Sequence, residues 1–231
     1  MKAILLRVGI DSTYGALSPV WDDMSYIYFP IFSRNIKEIE RGEKRTYKTL
    51  FGSDVKFLPE KLHNNLVHYD PEFESFTYGD PSNLKHNFLI SLEEGDLFVF
   101  YMGGVLQNKS KEKGCFIIGY FEVEKTFIGS STLTPGEKVR IKKEYPNNAH
   151  VISSKTQRNL VIVKGSKKSK KLDRCIKITQ LNKKSRNPLY ITKPKYQKEL
   201  GLREFIIRAV PIVLKEENHI NNLKKLLNIT S

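Results

Sequence analysis

The sequence predicts an α+β fold, in which a mixed sheet is surrounded by peripheral helices and followed by a C-terminal helix. Three observations support this class. Apolar runs of strand length recur along the chain, and turn-forming residues separate them. The C-terminal stretch instead places its leucines at helical spacing. With 231 residues, of which 39% are hydrophobic, the chain is long enough to bury one sizeable core.

The N-terminal third predicts several short extended pieces. Residues 3–9 (AILLRVG) are typical of a strand that one charge, Arg7, interrupts. After a stretch dense in turn formers, residues 26–32 form a second apolar run. Residues 55–70 predict a short strand, a helical turn and another extended piece. Pro71 ends that piece, because it disfavours a helical conformation at the residue before it.

The clearest pair of elements lies at residues 95–124. Two apolar runs, GDLFVFYMGG and GCFIIGYFEVE, flank a polar linker and predict a β-hairpin or two adjacent strands. Further strands are predicted at residues 159–164 and 174–179. The Gly-, Ser- and Lys-rich segment between them, residues 163–172, predicts a mobile hairpin loop.

The C-terminus has a different character. From Val213 onward, leucine and isoleucine recur at mostly helical spacing, and Lys224 and Lys225 lie near the end, where they favour the helix dipole. We therefore predict a single domain at residues 1–208 and a helical tail at residues 209–231.

The charge is concentrated in one region. The chain carries a net charge of +14, and residues 164–208 contain fifteen Lys or Arg against three acids. A field of one sign attracts polyanions, and nucleic acids are common polyanions in cells. The alternative is a solvated lysine-rich surface of the kind that heat-adapted proteins carry. The predicted nucleic-acid contacts are Lys167, Lys168, Lys170, Lys171 and Arg174.

A first group of candidate site residues follows the first strand. Asp11 has the chemistry of a base or of an acceptor for a sugar hydroxyl, Ser12 can bond a phosphate oxygen, and Arg7 can hold a phosphate bidentately. Tyr14 belongs to the same turn and is predicted to bind substrate. The alternative is an ordinary turn in which Asp11 caps the strand end and pairs with Arg7.

A second group centres on His68 and Asp70. In an extended strand these two side chains point the same way, which suits general acid–base chemistry or half of a metal site. His150 is a further candidate for substrate binding. A structural His–Asp hydrogen bond and a buried, satisfied histidine are the alternatives, and we assign no metal ligands from the sequence.

Several classes of protein are excluded. The sequence has no GxGxxG or GxxxxGK[ST] phosphate loop, no HExxH, CxxC or GxSxG motif, and no zinc-deaminase pattern. Its two cysteines cannot form a disulfide framework or a four-ligand zinc site. Since there is also no membrane-length apolar run and no signal peptide, we expect a cytoplasmic protein with no membrane partner. The sequence names no cofactor and leaves the oligomeric state open.

Short motifs follow one another in a distinctive order: R-x-G-x-D-S at 7–12, S-P at 18–19, an Asp at 22 or 23, H-x-D-P at 68–71, G-D-L-F at 95–98 and N-x-x-H-V at 147–151. In this order they resemble the third of the nucleotide-modification-associated domain families. The resemblance covers most of residues 1–180. It implies a role in base or nucleotide modification without fixing the reaction, and it makes Arg7, Asp11, Ser12, His68 and Asp70 site candidates.

Residues 95–124 are also remotely similar to the core strands of EVE, YTH and PUA-like modules. Those are small β-barrel folds with an aromatic-lined base pocket, so the similarity implies a curved or barrel-like sheet. Trp21 and Tyr101 are candidates to line such a pocket, where stacking on a base is worth roughly 1–3 kcal/mol. Aromatic residues in strands are more often part of the core.

Together these features predict a protein that modifies a base or nucleoside in a nucleic acid or free nucleotide. Asp11 or Asp70 would act as the base and His68 as the acid. One alternative is a non-catalytic reader of modified bases, which needs stacking and phosphate contacts but no carboxylate. Another is a nucleic-acid hydrolase, either a glycosylase or a nuclease.

Overall fold

A long antiparallel pair of strands organises the fold. The computed structural model describes residues 1–33, 45–129, 133–152, 159–182, 189–206 and 210–229. Within these residues the architecture is α+β, with a large mixed sheet and several helices, which confirms the predicted fold class.

The elements are numbered in chain order. The strands are β1 (Ala3–Val8), β2 (Ser18–Val20), β3 (Ile31–Phe32), β4 (Val67–His68), β5 (Thr77–Asp80), β6 (Leu97–Leu106), β7 (Lys113–Ile128), β8 (Val161–Gly165), β9 (Lys170–Lys177), β10 (Thr179–Asn182), β11 (Leu189–Thr192) and β12 (Ile212–Leu214). The α-helices are α1 (Tyr47–Phe51), α2 (Asn83–Ile90), α3 (Pro135–Glu144), α4 (Ala149–Ile152), α5 (Pro194–Leu200) and α6 (Glu217–Leu226). Short 3₁₀ helices cover Ser12–Tyr14, Gly52–Phe57 and Glu60–Leu62.

The main sheet has the strand order β12-β1-β6-β7-β8-β5. Strand β6 lies parallel to β1 and, at its far end, parallel to β2, while its other edge pairs antiparallel with β7. Strand β7 is long enough to pair first with β9 and then with β8. Its pairings shift register in three places, and such bulges bend strands. The described strands form no closed barrel, so the PUA-like or EVE-like fold is not confirmed.

Both faces of the sheet are covered, which explains why β6 is a continuous apolar run rather than an alternating one. Phe98 and Phe100 face one core, and Val99 and Tyr101 face a second core beneath α5 and α6. A third, smaller cluster joins α3 and α4 to the ends of β7 and β8. This last cluster matters for function, because it fixes α4 against the sheet.

Local signals in the sequence account for the start of α3. Thr134 accepts a hydrogen bond from the Glu137 backbone N–H, and the Glu137 carboxylate accepts one from the Thr134 N–H, which forms a capping box. Pro135 occupies the first turn, where its missing N–H costs nothing. The helix therefore begins at a defined residue and delivers the chain to α4.

The predicted hairpin at residues 95–124 is confirmed as the β6–β7 pair, and the predicted strands at 3–9, 159–164 and 174–179 correspond to β1, β8 and β9.

Two local predictions were wrong. The predicted loop at 163–172 is mostly strand, because β8 runs to Gly165 and β9 begins at Lys170.

The strand expected near residue 55 is instead the 3₁₀ helix Gly52–Phe57. Among the basic residues of the 164–208 region, Lys183, Lys184, Arg186 and Arg208 lie outside the described residues.

The C-terminal segment is joined to the main sheet. Strand β12 pairs antiparallel with β1, and the predicted C-terminal helix is present as α6. Leu214, Ile220 and Leu223 pack into the same core as β1 and β6. Among the described residues, no helix is both long and apolar enough to span a bilayer.

Candidate functional site

Three elements deliver two histidines and one carboxylate to a single place. His68 ends β4, Asp70 follows two residues later, and His150 lies on α4. One ligand atom from each side chain lies within 4.8 Å of the other two. The sequence predicted the pairing of His68 with Asp70, and the structure adds His150 to form what we call the His–Asp–His cluster.

His150 lies between the other two members of the cluster. Its Nε2 atom is 3.1 Å from Nε2 of His68 and 3.4 Å from Oδ2 of Asp70. The two imidazole rings meet edge to face, with centroids 4.5 Å apart and planes at 80°. Three atoms that can each offer a lone pair therefore converge on one point, which suits either a shared proton or a cation.

The Asp70 carboxylate is held in a buried position by backbone. Only 4% of its side chain is exposed, and both of its oxygens accept a hydrogen bond from the Gly79 N–H, at 3.1 and 3.2 Å. Burial raises the pKa of Asp70 well above its usual range, although His68 and the Gly79 N–H act in the opposite direction. Burial therefore favours the protonated form of this carboxyl group more than an exposed position would.

Gly79 also makes room for His150. A Cβ atom at this position would lie 2.8 Å from Cδ2 of His150 and 2.9 Å from Oδ1 of Asn148. The same Asn148 oxygen accepts a hydrogen bond from the His150 backbone N–H at 3.0 Å. Glycine is therefore required here for close approach of α4 to β5, and Asn148 fixes the start of α4.

The buried carboxylate of Glu72 supports the cluster indirectly, through hydrogen bonds that lead to Asn148. Glu72 is fully buried and accepts hydrogen bonds from the Ser75 and Thr77 hydroxyls and from the backbone N–H groups of Glu74, Ser75 and Thr77. The Thr77 hydroxyl oxygen in turn accepts a hydrogen bond from Nδ2 of Asn148 at 3.1 Å. A continuous chain of hydrogen bonds thus connects Glu72 to the helix that carries His150.

A second group of polar side chains lies at the end of β5. Nζ of Lys85 is 2.7 Å from Oδ2 of Asp80 and 3.0 Å from the Tyr78 hydroxyl, which donates to the same Asp80 oxygen at 2.9 Å. Burial alone would raise the pKa of Asp80, but the Lys85 ammonium group and Ser82 hold it below its usual value. Asp80 therefore stays ionised and adds negative charge near Asp70.

The N-terminal candidates form a structured turn. Oδ1 of Asp11 accepts hydrogen bonds from the Thr13 backbone N–H at 2.9 Å and from the Thr13 hydroxyl at 2.6 Å. Asp11 is the N-cap of the 3₁₀ helix Ser12–Tyr14, and Gly15 closes that helix with a φ of 80°. Ser12 is exposed and Tyr14 is half-buried, with its ring against Phe32. In its described contacts Asp11 acts as a turn cap, and it is not a member of the His–Asp–His cluster.

Arg7 and Tyr101 lie side by side in the parallel β1–β6 pair. Tyr101 is fully buried in the core, so its ring is not accessible to a nucleotide base in this structure. The Arg7 guanidinium lies against Gly103, where an added Cβ would be 2.7 Å from Nη2. Among the described residues Arg7 has no carboxylate partner, so the alternative in which it pairs with Asp11 is not observed. Trp21 is half-buried, with its ring 5.6 Å from that of Phe57.

The five predicted nucleic-acid contacts lie close together on the turn between β8 and β9 and on the first half of β9, residues 166–174, which we call the basic turn. All five side chains are exposed. Three have acidic neighbours: Lys168 with Glu122 at 3.4 Å, Lys170 with Asp173 at 3.7 Å and Arg174 with Asp23 at 3.0 Å. Lys167 and Lys171 have no carboxylate partner within the described part of the chain. The basic turn is therefore an exposed cationic surface whose charge acidic neighbours partly neutralise.

Sequence reasoning missed the residues that support the cluster. Gly79 lies outside every motif and Asn148 occupies a variable position of one, so their roles become visible only when α4 packs on β5. Asn148 lies within the N-x-x-H-V stretch, so that motif is the one available signal for its position next to His150.

Comparison with known proteins identifies a family that the chain matches over most of its length. A family model described as nucleotide modification associated domain 3 matches residues 2–206. The matched range includes the N-terminal turn, the His–Asp–His cluster and the basic turn, and it ends before β12 and α6. No curated protein and no solved structure matches the chain.

Proposed function

The chain belongs to the nucleotide modification associated domain 3 family, and from this premise we propose that it modifies a base or nucleoside at the His–Asp–His cluster. The observation that carries the proposal is the convergence of His68, Asp70 and His150 within 4.8 Å of one another. Family membership supports nucleic-acid modification in general, and the cluster supplies the chemistry that such a reaction needs.

In the proposed reaction the cluster moves protons to and from the nucleobase of the substrate. His68 is half-exposed and serves as the proton donor, while Asp70 is the acceptor. His150 contacts both and passes a proton between them. The sequence left Asp11 and Asp70 as alternatives for the base, and Asp70 is favoured because Asp11 caps its own turn.

We propose that the basic turn holds the phosphate backbone. Its exposed cations would release counterions from the nucleic acid, which is the main source of sequence-independent affinity. Lys167 and Lys171 contribute most, because they have no acidic partner among the described residues, whereas Lys170 must first leave Asp173.

Strand β8 connects the basic turn to the part of the sheet that holds the His–Asp–His cluster. In the β5–β8 pair Gly79 lies opposite Ile162, and Gly79 contacts both Asp70 and His150. Ile162 is five residues from Lys167, and because β8 ends at Gly165 and a turn follows, the two lie at most roughly 16 Å apart. Along a duplex each strand advances about 3.4 Å per nucleotide, so this span covers at most roughly five nucleotides. A target base inside a duplex would have to be flipped out to reach the cluster.

The proposal is tested by expressing the protein in a host that lacks it and measuring the nucleosides of the host DNA and RNA by mass spectrometry. We expect a nucleoside of altered mass in cells with the wild-type protein and none in cells with Asp70→Asn. His219→Gln, on α6, is the matched histidine control and should keep the product.

Two other outcomes would each replace the proposal. Unchanged nucleosides together with retained binding of nucleic acid would indicate a reader of modified bases. Released free base or cleaved strands, lost in Asp70→Asn, would indicate a hydrolase.

A further inference from the structure

We infer that the His–Asp–His cluster is a binding site for a divalent first-row transition-metal ion. This goes beyond the proposed function, because an ion can bind here whether or not the chain modifies nucleotides. The inference rests on the distances within the cluster, on the types of ligand it offers and on the way those ligands are held.

The spacing of the ligand atoms fits a single ion. Two nitrogens bound at 2.0–2.1 Å to one zinc ion lie roughly 2.9 Å apart at a right angle and roughly 3.3 Å apart at the tetrahedral angle. Nε2 of His150 lies 3.1 Å from Nε2 of His68 and 3.4 Å from Oδ2 of Asp70. An ion bound by all three atoms requires the remaining pair, from His68 and Asp70, to lie no more than roughly 4.2 Å apart, and in this structure it lies within 4.8 Å.

A single proton can bridge only two of the three ligand atoms, whereas a metal ion can contact all three. If His150 carries a proton on Nε2, it can donate that proton fully to His68 or to Asp70 but not to both, since a single N–H points in one direction. A cation accepts a lone pair from all three atoms at once. The buried Asp70 carboxylate also gains a compensating charge, which offsets the cost of its burial.

The ligand types select the class of metal. Two imidazoles and one carboxylate suit Zn²⁺, Fe²⁺, Co²⁺ and related ions, whereas Mg²⁺ and Ca²⁺ prefer oxygen ligands. Three protein ligands leave coordination positions for water or substrate, as in catalytic rather than structural sites. The half-exposed His68 is the side from which such a molecule would enter.

The cluster also has the surroundings of a built site. Metal ligands in proteins are oriented by a further layer of hydrogen bonds, whose loss typically lowers affinity 10- to 100-fold. Here the Gly79 N–H orients Asp70, and Asn148 fixes the backbone of His150. Asn148 is itself held by Thr77, which bonds the buried Glu72.

A bound ion would change how the cluster works. His68, Asp70 and His150 would then serve as ligands, and a water on the ion, whose pKa the metal lowers, would replace them as the group that exchanges protons.

The test is a binding measurement on the full-length protein after removal of metals with a chelator. Co²⁺ is titrated into the protein and followed by its visible absorption, with Zn²⁺ as competitor. We expect one equivalent to bind, and two paramagnetically shifted imidazole N–H signals to appear in the proton spectrum of the Co²⁺ form. His68→Gln and His150→Gln should each remove one of these signals and weaken binding at least ten-fold. His219→Gln should behave as the wild type.

Absence of a stoichiometric Co²⁺ or Zn²⁺ complex in the folded wild-type protein would overturn the inference. So would equal affinity in the wild type and in either folded histidine variant. If His150→Gln does not fold, His68→Gln decides, because His68 lies at the half-exposed end of a two-residue strand. Because nothing in this experiment measures turnover, its failure is distinct from failure of the proposed modification activity.

Discussion

Replacement of Gly79 by alanine tests whether close packing of α4 on β5 holds the cluster together. The new Cβ would lie 2.8 Å from Cδ2 of His150, whereas carbon atoms pack best at about 3.5–4.0 Å. The His150 ring must therefore move by roughly 1 Å. Since Nε2 of His150 now lies 3.1 Å from Nε2 of His68, such a shift separates the two imidazoles.

Two effects of different size are expected from Gly79→Ala. Overpacking of a well-filled site costs about 1–3 kcal/mol of the free energy of unfolding. A displacement of about 1 Å in a reacting group can cost about 100-fold in rate. Chemical denaturation measures the first effect, and the yield of modified nucleoside at equal amounts of protein measures the second.

Gly136→Ala is the matched control for this experiment. Gly136 lies in the first turn of α3, and a Cβ atom there would meet no atom within 4 Å. Its replacement should leave the product yield unchanged and raise stability by up to about 1 kcal/mol, because alanine is the better helix former. If Gly79→Ala matched the wild type in both stability and product yield, the role of this contact in positioning His150 would be refuted.

Three further outcomes follow from the structure. Glu72→Gln should lower the free energy of unfolding by about 1–3 kcal/mol, because the buried carboxylate accepts hydrogen bonds from Ser75 and Thr77 that an amide cannot fully replace; urea denaturation measures this. Burial alone would raise the pKa of Asp96, but Lys2 and the Glu93 N–H lower it below 3.8, the value in the unfolded chain. The ionised carboxylate therefore stabilises the fold above pH 3.8. This stabilisation is lost as the pH falls through the lower pKa of the folded state. Asp96→Asn should therefore be less stable than the wild type at pH 7, and a difference that stayed constant down to pH 2 would contradict this assignment. Lys167→Ala and Lys171→Ala should each reduce the salt dependence of nucleic-acid binding by about one unit of slope, while Lys198→Ala, on α5, should leave it unchanged.

The sheet can be predicted largely from the sequence. Strands β6 and β7 are long apolar runs separated by a polar linker, a pattern that predicts a hairpin or two adjacent strands, and the structure has the antiparallel pair. The β8–β9 turn shows where composition misleads. Lys170 and Lys171 extend the strand although lysine is a poor strand former, because they pair with Tyr120 and Gly119 of β7.

The candidate site is predictable only in part. His68 and Asp70 are two residues apart, so local geometry alone brings them to one side of the chain. His150 is 80 residues beyond Asp70, and only the packing of α4 against Gly79 brings it to the same place. Tyr101 shows the opposite limit: its aromatic character suits a base pocket, but the pairing of β6 with β1 and β7 turns it into the core.

The central claim is that His68, Asp70 and His150 work as one unit in nucleotide modification. The most direct measurement compares the yield of modified nucleoside for Asp70→Asn, His150→Gln and the double variant, each verified as folded by circular dichroism. Groups that act as a unit give non-additive losses, so we expect both single variants and the double variant to fall to the same residual yield. Losses that multiply in the double variant, or a single variant that retains the wild-type yield, would contradict the account.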